Sequence, residues 1–286
     1  MKRNVPKNII GVLLHWLTTC SICVKWKNAL SSSVPLLAGV RQGGILSPIM
    51  FSIYMDALIV RLRSSGFGCN IAGLFVGCLL YADDIMLLSH SVTAMHRMLV
   101  ICQEFALEFD LKFNTTKSVV IRIGDRWKVQ CAPLLLCDMP LLHVDVCKYL
   151  GVHIIAGKKF SCSLDEMRHK FYRMFNCIYA RSSTSSSELV TVHLMRSYCL
   201  PILLYCSEVI PIYKADFRSL NRCIDSVIYK VFAVHEQANI ALIRQYLGLD
   251  KFERVVEDRI NKFLNNVAND VQLCWFTSKC LPQSLN

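Results

Sequence analysis

At 286 residues, the chain is long enough for one large or two modest domains with a hydrophobic core, and its composition excludes an intrinsically disordered protein. Hydrophobic residues make up 53% of the chain and the mean hydropathy is +0.38, so the possibility of a membrane protein has to be tested. The formal charge of +11 favours a polyanionic partner such as nucleic acid, with a solvated basic face as the alternative.

No stretch of the sequence has the length and apolar continuity of a transmembrane helix, and we expect no stable membrane insertion. The best candidate, residues 9–24, is short and is interrupted by polar side chains. Fifteen cysteines scattered among aliphatic residues are typical of reduced thiols in an intracellular protein of the cytoplasm or nucleus. Cys20 and Cys23 have the spacing of metal ligands, but no second Cys or His pair accompanies them. We therefore predict core residues there and no zinc.

Two helices are predicted in the first 66 residues. Residues 6–19 form the first, because Pro6 suits a first turn and apolar residues recur on one side. A strand at residues 21–26 follows. Ser47 and Pro48 predict the start of the second helix, which Gly66 ends. Its buried face is predicted from helical spacing to comprise Phe51, Tyr54, Met55, Leu58 and Leu62.

A β-hairpin that carries two carboxylates at its tip is the central prediction. The apolar runs 74–81 and 85–88 predict two buried strands, with Asp83 and Asp84 between them. Adjacent like charges are unfavourable unless a cation compensates them, and Mg²⁺ is a common partner of paired carboxylates. A polar turn without chemistry is the alternative, because Asp is a favoured turn residue.

The remaining chain alternates helix and strand and then becomes helical. We predict a helix at residues 92–109, a chain reversal at Asp110 and a strand at residues 119–123. Capping boxes at residues 163–166 and 185–188 predict the starts of later helices. The inner face of the earlier helix is predicted as Met95, Leu99, Cys102, Phe105 and Phe109, and that of the later one as Leu164, Met167, Phe171, Met174 and Ile178.

Four motifs in this order resemble the later motifs of reverse transcriptases, most closely those of non-LTR, LINE-like retrotransposons. They are Arg-Gln-Gly at 41–43, Tyr-Ala-Asp-Asp at 81–84, the segment 111–118 and Lys-Tyr-Leu-Gly-Val at 148–152. The resemblance covers residues 5–155 and implies an α+β fold. It implies a partial polymerase palm, an antiparallel sheet with packed helices, at residues 1–158. A helical thumb or connection region at 159–270 and a tail at 271–286 would follow.

The resemblance also implies RNA-templated DNA synthesis, with an RNA template, a DNA primer and dNTPs as partners. Asp83 and Asp84 would bind two Mg²⁺ ions, and Lys117 would contact the nucleotide phosphates and donate a proton, although an ordinary solvated lysine is equally compatible. Template and nucleotide contacts are implied for Arg41, Gln42 and Gly43, and primer contacts for Tyr81, Tyr149, Leu150 and Gly151.

One part of the family pattern is missing. The family takes a third carboxylate from a strand that precedes the Arg-Gln-Gly loop, but residues 1–55 contain no Asp and no Glu. The preceding fingers are not recognisable either. We therefore expect the C-terminal part of a polymerase, with weak Mg²⁺ binding and no independent activity. Two alternatives are a non-catalytic nucleic-acid-binding remnant and an apolar interaction or membrane-associated protein.

Overall fold

The computed structural model describes residues 5–36, 39, 43–183 and 186–269. Helices and short strands are interspersed up to residue 163, and the elements described beyond it are helices joined by loops, so the α+β prediction is confirmed. The helices are α1 (Lys7–Thr18), α2 (Ser47–Ser64), α3 (Val92–Glu108), α4 (Asp165–Ser182), α5 (Glu188–Leu194), α6 (Leu200–Leu203), α7 (Lys214–Phe232), α8 (Gln237–Tyr246) and α9 (Phe252–Asn269), and a π-helical segment, Met195–Cys199, joins α5 to α6.

The strands are short and pair locally. They are β1 (Ser21–Ile22), β2 (Lys25–Trp26), β3 (Ala29–Leu30), β4 (Val34–Pro35), β5 (Asn70–Ile71), β6 (Leu74–Phe75), β7 (Cys78–Tyr81), β8 (Asp84–Leu87), β9 (Val119–Val120), β10 (Leu135–Leu136), β11 (Met139–Pro140), β12 (Leu142–His143), β13 (Val146–Tyr149), β14 (Val152–Ile155) and β15 (Ser161–Ser163). The predicted strand 74–81 is divided, because β6 pairs with β5 whereas β7 pairs with β8. Strands β13, β14 and β15 form an antiparallel sheet, and β9 pairs with β12 in parallel.

The N-terminal segment is exposed, which corrects two expectations. Helix α1 forms as predicted but has no buried residue, and Ile9 and Leu14 are 46% and 58% exposed. Cys20 is half-buried and Cys23 is exposed, so the prediction that both are core residues is wrong. The physical reason is that β1 to β4 pair only with one another and all their residues are exposed.

None of the helices within the described ranges is both long enough and apolar enough to cross a lipid bilayer.

The first core lies between α2 and α3 and supports the β7–β8 hairpin. Leu58 and Leu62 of α2 pack with Met98 and Phe105 of α3, and all four are fully buried. Cys78 of β7 joins the same core. The predicted face of α3 is confirmed at its centre, although the fully buried Met98 was not part of it. The predicted face of α2 is confirmed except at Tyr54, which is 38% exposed because it lies at the edge of the core, where its hydroxyl donates a hydrogen bond to the Phe109 carbonyl. Because β7 is seated on this core, the position of the hairpin tip is set by the packing of α2 against α3.

The cap of α2 differs from its sequence prediction, whereas the chain reversal after α3 agrees with it. Helix α2 begins at Ser47 and Leu46 occupies the cap position, so the cap lies one residue before the predicted one. Asp110 adopts a left-handed conformation with φ of +51° directly after the end of α3. The predicted chain reversal is confirmed, since Asp tolerates this conformation better than most residues.

The second core is formed by the helices after residue 163. Its fully buried side chains come from α4, the π-helical segment, α6, α7 and α9 and include Phe171, Phe175, Met195, Leu203, Ile224, Ile228 and Phe252. Met174 is 43% exposed, so its predicted burial is wrong, and Phe175 occupies the inner position instead. Helix α4 begins at Asp165, and Leu164 occupies the cap position that was predicted for Ser163. The Ser163 hydroxyl still accepts a hydrogen bond from the Asp165 amide. Ser185, in the second predicted capping box, lies outside the described residues.

An ion pair joins the segment after α6 to α9. Two oxygens of Glu208 accept hydrogen bonds from the Arg259 guanidinium, with the closest at 3.0 Å. Burial raises the pKa of Glu208, but hydrogen bonds from its own backbone amide and from Arg259 outweigh burial, so the net pKa lies below the ordinary value of 4.5. The carboxylate form is therefore favoured in the folded protein.

We expect Glu208→Gln to lower the free energy of unfolding at neutral pH by less than about 1 kcal/mol, because the pair is partly exposed to solvent. A carboxyl group whose pKa is lower in the folded state stabilises the protein above its unfolded pKa, and this contribution disappears as the pH falls through the folded pKa. Urea unfolding at pH about 7 and about 3 should show a larger difference between wild type and variant at the higher pH. An equal difference at both pH values would contradict the assignment.

Candidate active site

The two carboxylates lie at the tip of the β7–β8 hairpin, as predicted. Tyr81 is paired with Asp84, so Ala82 and Asp83 form a two-residue turn. Ala82 has φ of +49°, whereas Asp83 does not have a positive φ. A positive φ at the first central residue alone is the pattern of a type II′ turn, which matches the twist of the flanking strands. An alanine in this conformation is strained, and such strain is concentrated at functional sites.

Both carboxylates are exposed to solvent. Neither Asp83 nor Asp84 forms an ion pair with any part of the chain that the structure describes. Exposed carboxylate oxygens are the hard ligands that Mg²⁺ prefers, and Mg²⁺ retains several water molecules when few protein ligands are present. The donor set therefore fits Mg²⁺. No group of three His, Cys, Asp or Glu side chains comes together as a metal site within the described ranges.

A second hairpin, formed by β13 and β14, carries the predicted primer-contacting residues. Tyr149 pairs with Val152, so Leu150 and Gly151 form its two-residue turn. Both turn residues have positive φ, +45° and +83°, which is the pattern of a type I′ turn.

The two hairpins lie close to each other. Burial, followed by charge interactions with Asp84 and Cys78, raises the pKa of the Tyr149 phenol above its ordinary value. Asp84 and Cys78 both belong to the β7–β8 hairpin, and Tyr149 belongs to β13. Three of the predicted site residues, Tyr149, Asp84 and its strand partner Tyr81, are thus brought into one neighbourhood from positions more than 60 residues apart.

Tyr205 is a member of this neighbourhood that the sequence analysis missed. It follows α6 in the helical region, and its hydroxyl donates a hydrogen bond of 2.8 Å to the carbonyl oxygen of Leu150. Its pKa is raised by a hydrogen bond and charge interaction with Cys206, by slight burial, and by the phenol of Tyr81. The sequence offers only a weak signal for it, an aromatic hydroxyl at the end of the apolar run 200–204, since the contact spans 55 residues.

Lys117 and the Arg-Gln-Gly loop are less closely tied to the hairpins. Lys117 is exposed and lies in a turn, where its backbone amide donates a hydrogen bond of 3.1 Å to the side chain of Asn114. No described hydrogen bond or ion pair links its ammonium group to the hairpins. Arg41 and Gln42 lie outside the described residues. Gly43 is described shortly before α2, with φ of +78°.

Comparison with known proteins identifies the family. Residues 2–154 match the sequence profile described as reverse transcriptase (RNA-dependent DNA polymerase). The matched region contains both hairpins apart from the last residue of β14, and it includes α2 and α3.

Curated relatives are polymerases of retrotransposable elements. The Pol polyprotein of type-1 element R2 from Popillia japonica is 27% identical over 78% of this chain and 33% of its own length. The Pol polyprotein of type-2 element R2DM from Drosophila melanogaster is 29% identical over 44% of this chain and 12% of its own. The RNA-directed DNA polymerase of mobile element jockey from Drosophila melanogaster is 24% identical over 73% and 23%. The chain spans about a third or less of the length of these relatives, and it belongs to the reverse transcriptase family, among polymerases of LINE-like, non-LTR elements.

Proposed function

We propose that this chain carries the metal-binding hairpin and the primer-contacting hairpin of a polymerase that synthesises DNA on an RNA template. The observation that carries the proposal is the pair of exposed carboxylates, Asp83 and Asp84, at a strained two-residue turn inside the region that matches the family. An ordinary polar turn needs neither two adjacent uncompensated carboxylates nor an alanine with a strained backbone.

Asp83 and Asp84 would hold Mg²⁺ through their carboxylate oxygens. When bound, Mg²⁺ in such sites activates the attacking hydroxyl and stabilises the charge that develops on the leaving pyrophosphate. The exposed ring of Tyr81 and the half-buried ring of Tyr149 would pack against the end of the primer, since aromatic rings stack on bases regardless of sequence.

The other predicted site residues would bind the template and nucleotide. Gly43, with its left-handed backbone, would let Arg41 and Gln42 approach the templating base and the incoming dNTP. Lys117 would contact the phosphates and donate a proton to pyrophosphate, a role that its exposed ammonium group can fill.

Catalysis by this chain alone is proposed to be weak or absent. Two adjacent carboxylates leave most positions of an octahedral Mg²⁺ ion to water, and residues 1–55 supply no further carboxylate. A third oxygen ligand would have to come from outside residues 1–55.

Primer extension with the full chain tests the proposal. The assay contains Mg²⁺, dNTPs and a DNA primer annealed to an RNA template, and duplex binding is measured in parallel at several salt concentrations. We expect salt-sensitive binding to the primer–template, since cationic side chains release counterions from phosphates, with little extension. Strong templated extension would contradict the proposed weak activity and indicate a further metal ligand in the chain. Absence of primer–template binding would contradict the proposed function itself.

A non-catalytic nucleic-acid-binding protein is the second candidate, and the charge distribution favours it. Residues 1–67 contain eight Lys or Arg and one acid, Asp56. Salt-sensitive duplex binding that is unchanged in the Asp83→Asn, Asp84→Asn double variant, with no metal binding in the wild type, would support this candidate over the polymerase.

An interaction protein is the third candidate, and the exposed apolar side chains of α1 favour it. Sedimentation over a range of protein concentrations, without nucleic acid, would reveal self-association. Lipid vesicles in the same experiment would reveal membrane association.

A further inference from the structure

The turn of the β13–β14 hairpin is strained. Leu150 has φ of +45° and Gly151 has φ of +83°. A type I′ turn requires positive φ at both central residues, which is why Asn-Gly is its preferred sequence. Leucine gains nothing from this conformation, because its Cβ approaches the following carbonyl oxygen. Such a residue keeps a left-handed backbone only when surrounding contacts hold it there.

Tyr205 supplies those contacts from the helical region. Its hydroxyl donates to the carbonyl oxygen of Leu150 at 2.8 Å. Its ring lies against Gly151, where an added Cβ would be 3.2 Å from the Cε1 atom of Tyr205. Glycine at position 151 thus serves both the turn and the close approach of the ring, and Tyr205 holds both turn residues at once.

Tyr205 is itself firmly anchored. Leu203 and Leu204 before it are buried in the helical core. Ser207 after it is 1% exposed, and its hydroxyl donates to the Leu204 carbonyl at 3.0 Å. The hydrogen bond to Leu150 therefore connects the buried helical core to the hairpin turn, so the position of the turn depends on the position of the helical core.

The phenol of Tyr205 also lies near the β7–β8 hairpin. Tyr81 contributes to the raised pKa of Tyr205, and Asp84 contributes to that of Tyr149. Tyr81 and Tyr205 are 64% and 47% exposed, so their rings are accessible to a ligand. The strained turn is in direct contact with Tyr205, and Tyr81 and Asp84, the proposed metal ligand, lie near enough to interact electrostatically with Tyr205 and Tyr149.

We propose that Tyr205 is a positioning residue for the primer: by fixing the Leu150–Gly151 turn, it sets the place where the recessed 3′ end of a primer–template duplex binds beside Tyr81 and Asp84. This inference rests on the proposed function. It adds that the helical region controls the binding of the primer end through one side-chain hydrogen bond, from Tyr205 to Leu150. The sequence motifs do not indicate this hydrogen bond.

The first test compares two duplexes bound by the full-length chain, one with a recessed primer 3′ end that carries a fluorescent base and one that is blunt. Tyr205→Phe keeps the ring and removes the donor. Tyr198→Phe, at a similarly exposed tyrosine of the π-helical segment, is the matched control. We expect Tyr205→Phe to bind the recessed duplex about fivefold more weakly, which corresponds to the net contribution of one hydrogen bond. Its affinity for the blunt duplex should be unchanged, so the preference for the recessed end falls by the same factor. Tyr198→Phe should retain the preference.

The second test separates positioning from general structural support. Amide hydrogen exchange of residues 146–155 should become faster in Tyr205→Phe, and it should return toward the wild-type rate when Leu150→Asn is added, because Asn-Gly favours the type I′ turn by itself. Faster exchange throughout residues 165–269, without rescue by Leu150→Asn, would overturn the proposal, since Tyr205 would then only support the helical core.

The outcomes for the wild type separate this inference from the proposed function. A wild-type chain without preference for the recessed primer end would overturn the proposed function and this inference with it. A wild-type preference that Tyr205→Phe retains in full would overturn this inference alone.

Discussion

Asp83→Asn is expected to weaken the binding of Mn²⁺, a paramagnetic substitute for Mg²⁺ with similar ligand preferences, by about thirtyfold. Two unit charges about 4 Å apart in water interact by roughly 1 kcal/mol, so a divalent ion loses about 2 kcal/mol when one exposed carboxylate becomes an amide. Asn retains the size of the side chain and tolerates turn conformations, so the hairpin should stay folded. Titration of free Mn²⁺ by electron paramagnetic resonance measures the effect directly.

Asp138→Asn is the matched control for this change. Asp138 is an exposed aspartate in the two-residue turn of the β10–β11 hairpin, with φ of +58°. It has the same charge and a comparable local structure but no adjacent carboxylate, so its replacement should leave Mn²⁺ binding unchanged. Equal Mn²⁺ affinity in wild type and Asp83→Asn would show that the hairpin does not hold the metal. Any templated incorporation by the wild type should likewise be lost in Asp83→Asn and retained in Asp138→Asn.

Arg244→Met is expected to lower the free energy of unfolding of the helical region by about 3 to 5 kcal/mol. Arg244 is 7% exposed, and its guanidinium donates at 3.0 Å to the Asp225 carboxylate and at 2.7 Å to the Asn221 side chain. It also donates at 2.8 Å to the carbonyl oxygens of Leu249 and Asp250. Methionine fills much of the volume but removes all four hydrogen bonds, and a buried acceptor that loses its donor is costly.

Arg254→Met provides the comparison. Arg254 is on the same helical region but is 73% exposed, and its nearest contact with Asp250 is 4.0 Å. Exposed ion pairs contribute about 0 to 1 kcal/mol, so this variant should unfold almost like the wild type. Urea denaturation followed by far-UV circular dichroism measures both. A loss below about 1 kcal/mol for Arg244→Met would mean that the network of hydrogen bonds is not a major source of stability.

The hairpin and the helices around it could be predicted because their signals are local. Tyr81 and Asp84 flank a two-residue turn between apolar runs, and α3 carries a stripe of apolar residues at helical spacing that packs as predicted. The sequence correctly predicts a chain reversal at Asp110 and a helix end at Gly66, because left-handed conformations select few residue types. In each case the relevant interactions lie within about one helical turn or one hairpin.

Burial was predicted less well wherever it depends on what covers a surface. The stripe of α4 was assigned Met174, whereas the structure buries Phe175, since the direction of the covering helices decides which of two neighbouring residues is inside. Cys20 and Cys23 were assigned to a core because of their apolar neighbours, yet β1 to β4 pair only among themselves. Apolar composition indicates which residues can be buried, but it does not indicate which helix or strand packs against them.

The sequence by itself determined the family, the α+β class and the tip of the β7–β8 hairpin, since motif order and short-range periodicity are properties of neighbouring residues. Only the tertiary structure decided that Tyr149 lies near Asp84, that Tyr205 holds the Leu150 carbonyl across 55 residues, and that Arg244 gathers four acceptors. Such contacts arise from the packing of whole helices and hairpins, and no local spacing encodes them.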